Sequence, residues 1–309
     1  MLLYVNSRLE EGSKKRLRDQ VPADIQIAFR QDLAEGEQAE VFAQADFLMG
    51  NAPADWLKSP NKLQWWQLDS AGFDAYKDIE LSIPVTNMGD FFAWPCAETI
   101  VGGVLAFYRT LDELAVLQTQ SKWVGAALRP SMFLLRKKSV IILGSGAIGQ
   151  VIKQILTGFE CSIRFLARTN PDAELHTVEE LKEALPDTDI VFNTLPGSAK
   201  GFFSAELIKA MKPGSVFANV GRGTTVDEAA LIENLQSGHL GGAVLDVTEK
   251  EPLPADSPLW TMPNVILTQH TGGGIATEEL GKIDLFLENL RRFQEKEPLQ
   301  NEVKLERGY

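Results

Sequence analysis

The stretch SVIILGSGAIGQVIKQIL, Ser139–Leu156, decides how the rest of this chain is read. An apolar run leads into Gly144, Gly146 and Gly149 in the spacing G-x-G-x-x-G, and a segment of helical apolar periodicity follows. The first glycine allows a tight turn out of a strand. The second lets a pyrophosphate approach the backbone, and the third lets the helix pack close to the strand. The N–H groups at the helix start, around Ala147 and Ile148, then face the phosphates. Glycine-rich turns also occur for purely structural reasons. Here the strand before, the helix after and a further strand beyond supply the context a dinucleotide site requires.

Outward from this turn the pattern repeats. Downstream, CSIRFLA (161–167), DIVFNTL (189–195), SVFANV (215–220), GAVLDV (242–247) and NVILTQH (264–270) read as strands. Upstream, MLLYV (1–5), DIQIAF (24–29), DFLMG (46–50), LQWWQL (63–68) and IPVTN (83–87) do the same, with helical stretches such as SKKRLRDQV (13–21) between some of them. Alternation of this kind predicts α/β architecture with parallel sheets, Rossmann-like or flavodoxin-like, in two domains. Two long helical patterns, Pro95–Thr119 and Thr277–Glu297, are expected to link them. The chain then starts and ends in one domain. Residues 1–94 and 277–309 form a substrate domain, and 95–276 a dinucleotide-binding domain.

A length of 309 residues suffices for two cores. Net charge of -12 disfavours general binding to nucleic acid or an anionic membrane, though not phosphate binding at one local site. No apolar run reaches the roughly 18 residues of a membrane span, and the N-terminus reads as an opening strand rather than a secretory signal. Cys96 and Cys161 lack CxxC spacing, which speaks against a metal site or disulfide framework. Cys96 reads as a small buried residue, and a reducing cytoplasm is the expected compartment.

The second strand of the dinucleotide unit bears on the cofactor. An NAD-binding unit usually carries an acid about 20 residues on, gripping the ribose 2′-hydroxyl. Here Ala167, Arg168, Thr169 and Asn170 stand in that place. No carboxylate repels a 2′-phosphate, Arg168 can pair with one and Thr169 can donate to it. NADPH is expected ahead of NADH, with NADH still possible.

Three charged or titratable residues follow strands in the same domain: Arg222 between two glycines, Glu251 just before a proline, and His270 ahead of three glycines. Ligands bind outside the carboxyl ends of strands in an open parallel sheet, so all three are predicted on the ligand side. The other two histidines, His176 and His239, lie in polar, helix-flanking sequence and are assigned no role. No second histidine stands at ligand spacing from His270, so no metal is expected.

The run from Gly221 to Gly273 resembles the signature region of the D-isomer-specific 2-hydroxyacid dehydrogenases. The resemblance extends over NTLPGSAKGFFSAELIKAMKPGSVFANVGRG (193–223) and the glycine-rich turn, and more weakly over DSAGFD (69–74) and IPVTN (83–87). It implies that Arg222 holds the substrate carboxylate and polarises its carbonyl, that His270 protonates the carbonyl oxygen, and that Glu251 orients the histidine ring. A nearby carboxylate favours a charged imidazolium, as a general acid needs. Asp246 matches the family's aspartate near the nicotinamide carboxamide. Thr194, Leu195, Pro196, Val220 and Gly221 fall at cofactor contacts, and Ser70, Ala71 and Gly72 at a backbone cradle for the substrate carboxylate. One departure is Gln269, where the family usually has proline.

With a basic residue after the second strand, the chain is most similar in type to the NADPH-dependent glyoxylate/hydroxypyruvate reductases, whose substrates are small 2-keto acids. A D-3-phosphoglycerate dehydrogenase and a dinucleotide-sensing, corepressor-like scaffold are the competing readings. Phe91, Phe92 and Trp94 sit at the expected hinge, either as pocket wall or as packing. The resemblance also implies a homodimer, with the Pro95–Thr119 segment and the following SKWVGAALRP (121–130) in its interface and Trp123 as an anchor.

Overall fold

The computed structural model describes residues 1–59 and 61–308. The chain forms two compact units, Met1–Phe92 with Ile275–Tyr309, and Ala93–Gly274. Along the first run come β1 (Leu2–Val5), α1 (Glu11–Gln20), β2 (Gln26–Phe29), α2 (Gln38–Phe42), β3 (Phe47–Met49), α3 (Ala54–Lys58), β4 (Trp65–Gln67) and β5 (Val85–Thr86). The second unit opens with α4 (Ala93–Tyr108) and α5 (Leu111–Thr119), then β6 (Ser139–Leu143), α6 (Ala147–Thr157), β7 (Ser162–Leu166), α7 (Val178–Ala184) and β8 (Ile190–Asn193). It continues with α8 (Ala205–Ala210), β9 (Val216–Asn219), α9 (Glu228–Gln236), β10 (Gly242–Leu245) and β11 (Val265–Leu267), after which α10 (Glu278–Glu295) belongs to the first unit.

Both sheets are parallel throughout, in the orders β2-β1-β3-β4-β5 and β11-β10-β9-β8-β6-β7. Parallel strands are covered on both faces, which is why the central ones are apolar without alternation. In β6, Ile141 and Leu143 enter the hydrophobic cluster on one face while Val140 and Ile142 enter the cluster on the other. The side chains of a strand point alternately to its two sides, so one continuous apolar run feeds two cores. In the first unit, Trp65 stacks on Phe286 of α10, ring centroids 5.0 Å apart, and Ile283 and Leu290 are buried with it.

In the second sheet, β6 has β7 on one side and β8 on the other. The chain changes direction across the sheet at that point, and the carboxyl ends of β6 and β8 flank the crevice where such folds take ligands.

One expectation needs correction. The continuous helical pattern from Pro95 to Thr119 is two helices, because Thr110 adopts a left-handed conformation, φ 51°, between α4 and α5. A β-branched residue pays for that conformation, and the Thr110 hydroxyl donates to the carbonyl of Arg109 at 2.8 Å. α4 buries Ala97, Ile100, Val101 and Val104, whereas α5 buries nothing in its own unit.

Candidate active site

Each glycine of the turn after β6 has a distinct geometry. Gly144 has φ 96°, and a Cβ there would meet the Thr194 hydroxyl at 2.9 Å. At Gly149 a Cβ would run into the carbonyl oxygen of Gly144 and press on Ile142 and Phe165. Gly146, the N-cap of α6, has nothing within 4 Å of the place a Cβ would occupy. Two of the glycines therefore serve close packing, while the space at the helix N-terminus stays open. An opening there, against N–H groups of a helix start, fits a dinucleotide pyrophosphate.

Strands β8 and β9 end in a pair of buried asparagines, Asn193 and Asn219. The Asn193 amide donates to Asn219 Oδ1 at 3.1 Å and to Thr225 Oγ1 at 2.7 Å. Asn193 Oδ1 accepts from the Leu195 N–H at 3.2 Å and Asn219 Oδ1 from the Gly221 N–H at 3.0 Å. The two loops are thereby set against each other: a Cβ on Gly221 would stand 2.5 Å from the carbonyl oxygen of Leu195. Thr225 Oγ1 donates to the Arg222 carbonyl at 2.6 Å, and the Arg222 guanidinium donates to the Gly221 carbonyl at 2.8 Å. Arg222 stands on backbone that is held from two sides.

Asp246, buried after β10, organises the third loop. Its Oδ1 accepts from the Thr268 hydroxyl at 2.5 Å, from the Thr271 N–H at 3.1 Å and from the Gly272 N–H at 3.0 Å. Between them, Gln269 and His270 both have φ 55°. Proline is locked near φ −65°, so the departure from the family's usual proline accompanies a backbone that proline cannot adopt. His270 Nδ1 lies 2.6 Å from Glu251 Oε2, and Glu251 Oε1 accepts from the Thr248 N–H at 3.1 Å. This pair borders a cavity of about 390 Å³ lined also by Leu245, Leu253, Trp260 and Leu267.

Cys96, in the first turn of α4, feels the charges of both Asp246 and Arg222, but burial dominates and pushes its thiol up to about 11. It is a protonated packing group. Arg168 and Thr169 stand exposed past the end of β7, with the neighbouring Ala167 carbonyl in contact with His176 Nδ1 at 2.9 Å. His239 lies between α9 and β10, at the opposite end of that strand from Asp246. In the first unit, Ser70–Gly72 follows β4. The Ser70 hydroxyl donates to the Gly72 carbonyl at 2.7 Å, and the Asn87 amide donates to the Ala71 carbonyl at 2.7 Å. Phe91 and Phe92 meet edge to face at 4.9 Å, Phe91 against Gly281 and Phe92 beneath Lys282, so these two rings are packing groups of the first unit.

The sequence reading missed Asn193, Asn219, Thr225 and Thr268. The two asparagines carried a signal, since each is the last residue of an otherwise apolar strand, IVFN and VFAN. A polar residue placed where a buried strand ends has loop backbone within reach.

Known proteins are similar to this chain over much or all of its length. Residues 101–272 match the model of the family described as D-isomer specific 2-hydroxyacid dehydrogenase, NAD binding domain. A glyoxylate/hydroxypyruvate reductase A of Salmonella heidelberg is 32% identical over 239 residues, 75% of this chain and 74% of its own. The crystal structure of a D-isomer specific 2-hydroxyacid dehydrogenase family protein from Aeromonas salmonicida superimposes with a TM-score of 0.83 at 28% identity, covering 98% of this chain and 99% of that one. A D-isomer specific 2-hydroxyacid dehydrogenase from Xanthobacter autotrophicus, in complex with NADPH and MES, gives 0.80 at 29% identity, covering 100% and 99%.

Proposed function

The chain belongs to the D-isomer-specific 2-hydroxyacid dehydrogenase family, and from that premise we propose that it reduces a small 2-keto acid of the glyoxylate or hydroxypyruvate type to the D-2-hydroxy acid. The observation that carries this reading is the 2.6 Å contact of His270 Nδ1 with Glu251 Oε2, at a cavity mouth past the carboxyl ends of β10 and β11. With Nδ1 engaged by the carboxylate, Nε2 is the ring atom that delivers a proton to the substrate carbonyl oxygen. Glu251 fixes the orientation of the ring.

Arg222 takes the substrate carboxylate through paired hydrogen bonds and draws electron density from the adjacent carbonyl. The N–H groups of Ser70, Ala71 and Gly72 are assigned to the same carboxylate on the resemblance alone. A bound dihydronicotinamide supplies the hydride. Gly144, Gly146, Ala147, Ile148 and Gly149 would hold its pyrophosphate, Arg168 and Thr169 a 2′-phosphate, and Thr194, Leu195, Pro196, Val220, Gly221 and Asp246 the rest of the dinucleotide. NADPH is the preferred form in this reading, because the place of the usual acid is taken by an exposed arginine.

The reading also includes a homodimer and a cytoplasmic location. Leu111, Val116, Trp123, Phe133 and Leu134 are exposed, Trp123 at 98%, and an apolar face of this kind supports burial against a second copy. No described helix is long and apolar enough to cross a membrane.

The test is oxidation of NADPH and of NADH with glyoxylate, hydroxypyruvate, pyruvate and 3-phosphohydroxypyruvate. Fast NADPH oxidation with either of the first two supports the proposal. Activity confined to the phosphorylated substrate, or tight cofactor binding without turnover, sinks it.

A further inference from the structure

Glu228 is the first residue of α9, six positions after Arg222, and it reaches a different loop from the one that carries it. Its Oε2 accepts from the backbone N–H of Glu249 at 2.7 Å. The same peptide also lies hard against Gly223, because a Cβ there would collide with the carbonyl of Thr248 and would stand 2.5 Å from the N–H nitrogen of Glu249. The Thr248–Glu249 peptide thus packs against the Arg222 turn and is hydrogen-bonded to the Glu228 carboxylate.

From that peptide the loop runs directly to the acid–base pair. The Thr248 N–H donates to Glu251 Oε1 at 3.1 Å, and the Thr248 hydroxyl donates to the Lys250 carbonyl at 2.9 Å. Glu251 Oε2 then meets His270 Nδ1. The bonds of Thr248 are internal to the loop, whereas the bond to Glu228 ties it to a helix of the scaffold.

The position is costly for an acid. Burial raises the Glu228 carboxyl above the usual carboxylate range, the charges of Glu249 and Glu251 raise it further, and only the Glu249 N–H opposes them. An acid that merely complemented the helix dipole would do as well pointing into water.

We propose that Glu228 is a positioning residue that anchors the backbone at Glu249 and so sets where Glu251 meets His270. This rests on Glu251 and His270 acting as proposed above. Glu228 touches neither substrate nor cofactor in this scheme. Its effect passes through the peptide it holds.

Three variants test it. Glu228→Gln keeps an acceptor oxygen at the same reach, Glu228→Asp keeps the charge but is one methylene shorter, and Glu228→Ala removes both. Each is assayed for keto-acid reduction with NADPH, with kcat and KM separated, for Tm, and for amide hydrogen exchange over residues 248–251. The expected result is a fall of roughly tenfold or more in kcat for Glu228→Asp and Glu228→Ala, as small displacements of catalytic groups produce. Glu228→Gln should stay within about threefold of the wild type, since the anchoring acceptor is kept. The loop should exchange faster in the Asp and Ala variants and not in Gln, while Glu228→Asp keeps the wild-type Tm.

An Asp variant with wild-type kcat and exchange would assign Glu228 to the helix terminus alone and overturn the proposal. Equal losses in Gln and Asp would overturn it as well. Should the wild type turn over none of the keto acids, the functional reading fails by itself, and the exchange rates of the same variants still decide whether Glu228 holds the loop.

Discussion

The backbone N–H of His270 donates to the carbonyl oxygen of Asp246 at 2.6 Å, while the Asp246 carboxylate accepts from Thr268, Thr271 and Gly272 on either side of that histidine. One buried aspartate therefore holds the His270 loop by main chain and side chain together. The loop carries two consecutive residues at φ 55°, a conformation that costs free energy in each and persists only when its surroundings over-determine it.

Replacing Gln269 by proline, the residue usual in the family, should damage this protein. Proline cannot adopt φ 55°, so the loop must refold locally and shift His270. The expected outcome is a loss of at least about 1 kcal/mol of stability and lower turnover, read by denaturant unfolding and keto-acid reduction. A Gln269→Pro protein as stable and as active as the parent would show that the loop takes another conformation.

His270→Ala should reduce turnover by roughly a hundredfold or more, the usual worth of a general acid, and leave NADPH affinity nearly intact. Fluorescence titration of NADPH beside steady-state rates separates the two. Unchanged turnover would remove the histidine from the mechanism.

Arg168→Ala should weaken NADPH by about tenfold or more, the scale of a charge-assisted hydrogen bond, and NADH far less. Equal losses for the two would refute a 2′-phosphate role. The residue is exposed, so its removal should leave the Tm where it was.

Cys96 should resist alkylation at neutral pH. Burial and the Asp246 charge lift its thiol to about 11, so at pH 8 the thiolate that reacts is a minor species. The sign follows from linkage: the folded state favours the protonated thiol, and the stability this contributes is lost as pH rises through about 11. Iodoacetamide labelling followed by mass spectrometry should find Cys96 slow at pH 8 and faster above pH 10. Rapid labelling at pH 7 would contradict the raised thiol of this half-buried cysteine.

The parallel sheets were legible because apolar runs such as Val140–Leu143 alternate with amphipathic helices, and helices on both faces of a parallel sheet bury both sides of such a run. The Arg222, Glu251 and His270 positions past strand ends were legible for a related reason: each follows an apolar run, with glycine or proline within two residues. The break at Thr110 was not, since apolar residues continue through it at helical spacing and nothing local forbids the turn. Asn193 and Asn219 show in the sequence only as polar ends of apolar strands. Their role depends on β8 and β9 lying side by side, a relationship between segments that no single window of sequence contains.

The glycines of the β6 turn answer to different masters. A methyl group at Gly149 collides with the protein itself, so any loss there is felt by every molecule that tries to fold. At Gly146 a methyl group meets no protein atom, and the fold is indifferent to it. Survey variants of this chain for thermal survival and Gly146 will look dispensable. With the pyrophosphate held there as proposed, a survey for growth that depends on the bound dinucleotide will find it forbidden, because the constraint is then exerted by a molecule the gene does not encode.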